Sequence, residues 1–147
     1  MKNILLVALL SLVSHGSISP KPPKPPKTVK TVKTAKTYLG VKYRFGGQTR
    51  KGLDCSSFTQ KVMKSNKIKI PRTASKQARV GKHIPKKKLK PGDLVFFKGT
   101  YKKGISHVGI YLGKGKFIHA SSAAREVTIS NLNKPYYLKH YAGARRV

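Results

Sequence analysis

One cysteine and two histidines are the residues of this 147-residue chain whose types and spacing could support covalent chemistry. Cys55 lies in the stretch KGLDCSSFTQKVM, and His107 and His119 lie in SHVGIYLGKGKFIHASS. A thiol attacks a carbonyl group when a neighbouring base takes its proton. Because the chain has no second cysteine, Cys55 is left with three roles: an intermolecular bridge, a small buried apolar residue or a nucleophile.

The residues around Cys55 predict that it begins a helix. Asp54 is a favourable N-cap, and apolar residues then recur at helical spacing as far as Asn66. The unpaired amides and the positive dipole end of a helix start stabilise a thiolate, so we expect a lowered cysteine pKa. The Asp54 carboxylate would oppose this effect if it pointed at the sulfur, so we expect it to face backbone amides or substrate.

The two histidines lie in alternating runs that predict a β-hairpin. If residues 113–115 form its loop, Ile110 faces Ile118 and Leu112 faces Lys116. One face then carries an apolar set: Val108, Ile110, Leu112, Ile118 and Ala120. His107 and His119 share the other face as diagonal neighbours, close enough for their rings to meet.

Together these three residues suggest a nucleophile, a base and an orienting group. His107 would take the thiol proton, and His119 would hold the His107 imidazole in the right tautomer. The Cys55 backbone amide would stabilise the oxyanion, with the Tyr43 hydroxyl as a candidate second donor. Two alternatives remain: the histidines are ordinary strand residues, or the three side chains bind zinc, although their spacing matches no familiar zinc motif.

Other segments supply the elements that would position these residues. A helix is predicted from Thr28, as its N-cap, to a stop at Gly40, and a second one from residues 71–74 to near Gly81. After the Pro91-Gly92-Asp93 turn, residues 94–97 form a predicted strand, and strands dominate the rest of the chain.

The N-terminal 19 residues have the composition of a signal peptide. Lys2 precedes an apolar run, residues 4–13, that is too short to span a bilayer, and small residues near Gly16 suit cleavage. The sequence thus predicts export to the periplasm, the cell wall or the medium, with no transmembrane segment. The alternative is a buried N-terminal helix.

Residues 20–27 read as a lysine- and proline-rich arm. Its lysines recur every third residue, which is the period of a polyproline II helix. The arm could serve as a wall-binding element or as a plain linker to a single domain, residues 28–147.

The charge is strongly positive: 33 lysines and arginines against 3 acidic residues give a net charge of +30. Such a chain is attracted to polyanions, and its self-repulsion favours a monomer. The export signal and the lack of a nucleic-acid-binding motif argue against DNA or RNA, which leaves anionic wall or lipid surfaces. A general use of lysine on the protein surface would also explain the charge.

Six ordered sequence blocks in about residues 28–147 resemble the NlpC-type cell-wall cysteine peptidases. The blocks are YRFGG (43–47), DCSSF (54–58), PRT (71–73), PGDLVFF (91–97), HVGIY (107–111) and FIHA (117–120). The resemblance implies an α+β, papain-like fold in which N-terminal helices, including the cysteine helix, pack on a central antiparallel β-sheet.

The same resemblance implies a peptidoglycan hydrolase. It would be a D,L-endopeptidase that cuts stem peptides at the D-glutamyl to diamino-acid bond, without metal or organic cofactor. Cys55 maps to the nucleophile, His107 to the base and His119 to the third polar residue. By the same likeness, the amino end of the stem peptide would bind in a subsite lined by Tyr43, Asp54 and Ser56.

Two positions depart from the family pattern: Ser57 replaces a usual glycine, and Lys42 replaces a common proline. Extra bulk at Ser57 could alter the shape of the subsite. Two other functions stay open. The chain could be an inactive module that binds cell wall or other polyanions, or a secreted toxin or amidase that acts on another acyl substrate.

Overall fold

The computed structural model describes residues 11–147, so the first ten residues of the predicted signal peptide lie outside the described residues. Residues 11–26 are exposed and form neither helix nor strand. Within the described part of the chain, no helix is both long and apolar enough to cross a membrane.

A six-stranded antiparallel sheet forms the centre of the domain, with the strand order β3-β8-β4-β5-β6-β7. Its strands are β3 (Lys82–His83), β4 (Leu94–Lys98), β5 (Ile105–Gly113), β6 (Lys116–Ser121), β7 (Glu126–Asn131) and β8 (Tyr141–Arg146). A separate two-stranded ribbon consists of β1 (Gln48–Thr49) and β2 (Gly52–Leu53). The predicted α+β class, with helices on a central antiparallel sheet, is confirmed.

In residues 11–147, four α-helices accompany the sheet: α1 (Lys27–Lys36), α2 (Cys55–Ser65), α3 (Ala74–Gln77) and α4 (Pro135–His140). A short 3₁₀ helix covers Lys86–Lys88. Helix α2 packs on β5 and β6, and α1 packs on α2. The buried Asn66 amide at the end of α2 donates a hydrogen bond to the Thr31 hydroxyl of α1, which joins the two helices.

The sheet buries apolar side chains on both faces. One core lies between the sheet and helices α1 and α2 and contains Phe58, Val62, Leu94, Phe96, Val108, Ile110, Ile118 and Ala120. A second core on the opposite face contains Ile84, Val95, Phe97, Phe117, Leu132 and Ala144, with Tyr137 of α4 packed against it. Strand β4 contributes alternate residues to the two cores, which explains why its sequence, LVFFK, is apolar without alternation.

The β5–β6 hairpin confirms most of the predicted register. Ile110 pairs with Ile118, but Lys116 pairs with Gly113 and not with Leu112, so that prediction is wrong. Lys114 and Gly115 both have positive φ values, 53° and 74°, which is the pattern of a two-residue type I′ turn. The tighter turn leaves Leu112 in an irregularity between Tyr111 and Gly113.

Three predicted helix boundaries also need correction. Helix α1 begins at Lys27 after Pro26, so Thr28 lies within the first turn and is not the N-cap, and the helix ends at Lys36, before the predicted stop at Gly40. Pro26 suits this position because its fixed φ and missing N–H fit a helix start. Helix α3 begins after Thr73 but ends at Gln77, whose buried side chain bonds back to the Pro71 and Ser56 carbonyl oxygens.

A buried ion pair ties the last strand to the start of β4. The Asp93 side chain is 1% exposed, and its two oxygens accept from Arg146 Nε at 2.8 Å and Nη2 at 2.9 Å. Asp93 Oδ2 also accepts from the Lys90 backbone amide at 2.8 Å. Because the carboxylate is removed from water, these donors replace the hydrogen bonds that water would otherwise give it.

We expect Arg146→Met to lower the free energy of unfolding by about 2 kcal/mol or more, because it leaves a buried carboxylate without its counter-charge. Urea unfolding followed by circular dichroism measures the loss. The control is Arg79→Met, which removes an exposed guanidinium and should change stability by less than about 0.5 kcal/mol. A loss in Arg146→Met no larger than in the control would contradict the argument.

Candidate active site

The start of helix α2 is fixed by a capping box around Asp54. Asp54 Oδ1 accepts from the Ser57 amide at 2.8 Å, and the Ser57 hydroxyl accepts from the Asp54 amide at 3.1 Å. The Ser57 hydroxyl also donates to the Gly47 carbonyl oxygen at 2.6 Å. Cys55 is therefore the first residue of α2, as the sequence predicted.

Arg72 pairs with the Asp54 carboxylate through two hydrogen bonds. Its Nη2 lies 2.7 Å from Asp54 Oδ2, and its Nη1 donates to Asp54 Oδ1 at 3.1 Å and to the Ser56 hydroxyl at 2.9 Å. Hydrogen bonds from Arg72 and Ser57 lower the pKa of Asp54, against the opposing effect of burial. The expectation that Asp54 faces backbone amides is confirmed, whereas its partner Arg72 was not identified from the sequence.

Cys55 is 8% exposed, and burial raises the pKa of its thiol to about 11. The negative charge of Asp54 adds to this rise, while the backbone amides of Val108, Ser56 and Cys55 act in the opposite direction. The predicted lowering of the pKa by the helix start is therefore wrong for this structure. Loss of hydration outweighs the amide dipoles because the thiol lies in the protein interior.

His107 and His119 form a direct hydrogen bond, with 2.7 Å between His107 Nε2 and His119 Nδ1. This contact confirms that the two histidines share a face of the β5–β6 hairpin. Gly109 makes the close approach of the strands feasible. A Cβ at this position would lie 2.8 Å from the Phe117 ring and 3.1 Å from His119 Cβ.

A third polar group extends this pair. His119 Nε2 lies 2.8 Å from the Ser130 hydroxyl of β7, and His119 itself is almost fully buried. Ser130 was not identified from the sequence. Its position follows from the register of β7 against β6, in which Ser130 pairs with Phe117, two residues from His119.

Aromatic rings surround both imidazoles. Phe97 lies 5.8 Å from the His107 ring, and Phe117 and Tyr137 lie 4.5 and 5.8 Å from the His119 ring. Burial lowers the pKa of His107 to about 4. The pKa of His119 is also well below its usual range, because of burial and the neighbouring His107. Both rings are therefore neutral at pH 7.

One cavity of about 350 Å³ brings four of the predicted residues together: Tyr43, Cys55, His107 and His119. Its other lining residues are Thr100, Tyr101, Ser121, Ser122, Ala123, Tyr136 and Tyr137. Asp54 and Ser56 do not line it and are bonded to Arg72 instead. In residues 11–147, no three histidine, cysteine or acidic side chains are grouped so that they could hold a metal ion.

Ser57 and Lys42, the two residues that depart from the family pattern, do not line this cavity. Ser57 is buried, and its hydroxyl faces the Gly47 carbonyl oxygen, so its extra bulk lies outside the cavity lining. Lys42 is exposed, its backbone forms an isolated antiparallel β-bridge with Glu126, and its carbonyl oxygen accepts from the Leu53 amide.

Comparison with known protein families and curated proteins agrees with this geometry. The profile of the NlpC/P60 family matches residues 40–146. The chain is 47% identical over 111 residues to a gamma-DL-glutamyl hydrolase of Bacillus subtilis and 44% identical over 109 residues to the murein DD-endopeptidase/LD-carboxypeptidase MepS of Escherichia coli. Each match covers 74% of this chain but only 27% and 56% of the relative, so the chain spans about half or less of these proteins.

Solved structures show the same fold. An NlpC/P60 protein from Bacillus cereus superposes with a TM-score of 0.77 at 42% identity, covering 84% of this chain and 41% of that one. The NlpC/p60 domain of the peptidoglycan hydrolase SagA gives a TM-score of 0.71 at 29% identity and covers 82% and 98% of the two chains.

The raised thiol pKa predicts how Cys55 reacts with an alkylating agent. Because only the thiolate reacts, the rate of alkylation by iodoacetamide should rise about tenfold per pH unit from pH 7 to pH 9, without a plateau. The same chain unfolded in urea provides the control, with an ordinary thiol pKa of about 8.5. A plateau of the alkylation rate below pH 8 in the folded protein would show instead that the helix start lowers the thiol pKa more than burial raises it.

Proposed function

The chain belongs to the NlpC/P60 family, and because its one cysteine shares a cavity with a hydrogen-bonded histidine pair, we propose that it is a cysteine peptidase acting on peptidoglycan stem peptides. The observation that carries this proposal is the contact of 2.7 Å between His107 and His119 at the edge of the Cys55 cavity. Titratable groups with strongly shifted pKa values that share one cavity are typical of functional sites, and Cys55, His107 and His119 form such a group.

The names of the relatives support a bond next to a D-glutamyl residue. They include the gamma-DL-glutamyl hydrolase and, at 44% identity, a gamma-D-glutamyl-L-lysine dipeptidyl-peptidase of Bacillus cereus. We therefore propose hydrolysis of the D-glutamyl to diamino-acid bond. MepS, named as a murein DD-endopeptidase, makes the bond between cross-linked stem peptides the second candidate.

The hydrogen-bond chain indicates which nitrogen of His107 acts as the base. If His119 Nε2–H donates to the Ser130 hydroxyl, then His119 Nδ1 accepts from His107 Nε2–H. His107 Nδ1 is then left with its lone pair and can take the thiol proton. His119 and Ser130 thus orient the base and set its tautomer.

Proton transfer from Cys55 to His107 starts the reaction. Burial favours the neutral form of both groups in the resting site. The transfer creates opposite charges next to each other, so their attraction offsets part of the desolvation cost. The amides of Ser56 and Val108 stabilise the developing thiolate further.

The thiolate then attacks the carbonyl carbon and forms a tetrahedral oxyanion. The Cys55 backbone amide at the helix start is one donor to this oxyanion. Tyr43 lines the cavity, and burial together with the charges of Cys55 and Asp54 raises its pKa to about 12. Its hydroxyl therefore stays protonated, and we propose it as the second donor.

Collapse of the intermediate breaks the C–N bond. Protonated His107 gives its proton to the leaving amine, and a thioester to Cys55 remains. Water, deprotonated by His107, attacks the thioester and releases the acid and the free thiol. The proton that His107 takes from water returns to the Cys55 sulfur, which restores the resting enzyme.

We also propose that the protein acts outside the cytoplasm. The signal-like N-terminus and the peptidoglycan-directed relatives support an exported protein that acts in the periplasm, the cell wall or the medium. Asp54 and Ser56, next to the cavity residue Cys55, remain candidates for binding the amino end of the stem peptide. The exposed arm, residues 20–26, and the high positive charge would favour contact with an anionic wall, and self-repulsion would keep the protein monomeric.

We expect Cys55→Ala to abolish cleavage of purified peptidoglycan, because no other thiol is present. Mass spectrometry of the digest identifies the new amino and carboxyl ends and hence the bond that is cut. Circular dichroism verifies that the variant is folded. If the wild type leaves peptidoglycan and muropeptides intact, the peptidase proposal is wrong, and a wall-binding module or another acyl substrate takes its place.

We expect Ser130→Ala to lower kcat about tenfold with little change in KM, because His119 loses the group that sets its tautomer. The control is Ser122→Ala, which removes an exposed hydroxyl from the lining of the same cavity. Steady-state kinetics on a stem peptide distinguishes the two variants. Equal rates for Ser130→Ala and the wild type would refute the proposed hydrogen-bond chain.

A further inference from the structure

The proposed catalytic cavity has no lysine or arginine among its lining residues, although the chain carries 33 of them. Its walls are aromatic rings, hydroxyl groups and the two histidines. Stem peptides are rich in carboxylates, and a carboxylate bound in this cavity alone would meet no opposite charge. The counter-charge for such a group therefore has to come from outside the cavity.

A second cavity, of about 500 Å³, supplies that charge. Four cationic side chains line it: Arg79, Lys102, Lys103 and Arg145. They come from three parts of the fold: the turn after α3, the loop between β4 and β5, and strand β8. No acidic residue is present in its lining.

One short loop separates the two cavities. Thr100 and Tyr101 line the catalytic cavity, and the next residues, Lys102 and Lys103, line the cationic one. The base of the loop is fixed, because the Thr100 amide donates to the Ser106 hydroxyl at 3.0 Å and the Gly99 amide donates to the Gly104 carbonyl oxygen at 3.0 Å. The two cavities are therefore lined by consecutive residues of one loop.

The cationic cavity is a built feature of the fold. Arg145 Nε donates to the Ala78 carbonyl oxygen at 2.8 Å, which fixes the guanidinium in the wall of the cavity. Strand β4 shifts register against both of its neighbours near Phe97, and these irregularities lie at the end of the strand next to the cavity. Phe96 and Ile105 add apolar surface to the lining.

The acidic residues of the chain are placed elsewhere. Asp54 pairs with Arg72, and Asp93 pairs with Arg146. Glu126 lies on β7, at the edge of the sheet opposite to β3 and β8. The cations of the second cavity are therefore available for an external anion, and two of them are guanidinium groups, which suit the planar geometry of a carboxylate.

We propose that the cationic cavity is a subsite for a carboxylate of the same stem peptide whose amide bond lies at Cys55. This inference rests on the proposed function, because it takes the peptide at Cys55 as its starting point. The subsite would select stem peptides with a free carboxylate over those in which that group is converted to an amide.

Calorimetric binding to the Cys55→Ala protein tests the subsite without turnover. The probes are two synthetic stem tetrapeptides that contain the D-glutamyl to diamino-acid bond, one with free carboxylates and one with the carboxyl groups beyond that bond amidated. At low ionic strength we expect amidation to weaken binding about tenfold. When Arg79→Gln, Lys102→Gln and Lys103→Gln are combined with Cys55→Ala, the two peptides should bind within about twofold of each other.

A matched control removes the same charge from another lysine-lined cavity. The triple variant Lys61→Gln, Lys64→Gln, Lys69→Gln changes a cavity between α2 and the segment that follows it, and it should keep the tenfold preference. All three substituted residues of the test variant are exposed, so its fold should be intact, and circular dichroism checks this. An equal loss of preference in both variants would show that only net charge matters and would overturn the subsite.

The failures of the two proposals are distinguishable. If the wild type cleaves the free peptide but amidation changes neither binding nor KM, the subsite is refuted and the peptidase proposal stands. If amidation weakens binding as expected but the wild type cleaves neither peptide, the subsite stands and the peptidase proposal is refuted. Absence of binding of either peptide would overturn the subsite.

Discussion

The register of the β5–β6 hairpin is the constraint on which the proposed chemistry depends. Pairing of Ile110 with Ile118 sends one set of side chains into the helix-facing core and leaves His107 and His119 together on the other face. A shift by one residue would put the two rings on opposite faces. The apolar residues between the histidines thus specify the geometry of the site, because only one register buries all of them.

The start of helix α2 supplies the second part of the site, but it does not lower the pKa of its cysteine as helix N-termini commonly do. In Cys55, burial dominates over the helix dipole, so the resting sulfur is a thiol beside a neutral imidazole. Asp54, which could repel a thiolate, is held by Arg72 and by the capping box. In the proposed reaction, opposite charges on Cys55 and His107 would therefore form together, without a preformed ion pair.

Much of this arrangement could be predicted from the sequence because it rests on local rules. Helix α2, its cap and the shared face of the histidines follow from spacing and alternation. Arg72 and Ser130 could not be predicted, because their partners lie 18 and 11 residues away and are selected by tertiary packing. The Cys55 pKa was predicted wrongly for the same reason: burial is a property of the assembled domain, whereas the helix-dipole rule is local.

Strand β4 lies in the middle of the molecule and places Leu94 and Phe96 in one core and Val95 and Phe97 in the other. Neither core can open without moving β4 and thereby disturbing the packing of the other core. The backbone amide protons of the elements that enclose the two cores should therefore exchange with solvent through the same rare opening of the whole domain. In such a cooperative unit, the packing of Phe97 against the His107 ring persists for as long as the domain is folded.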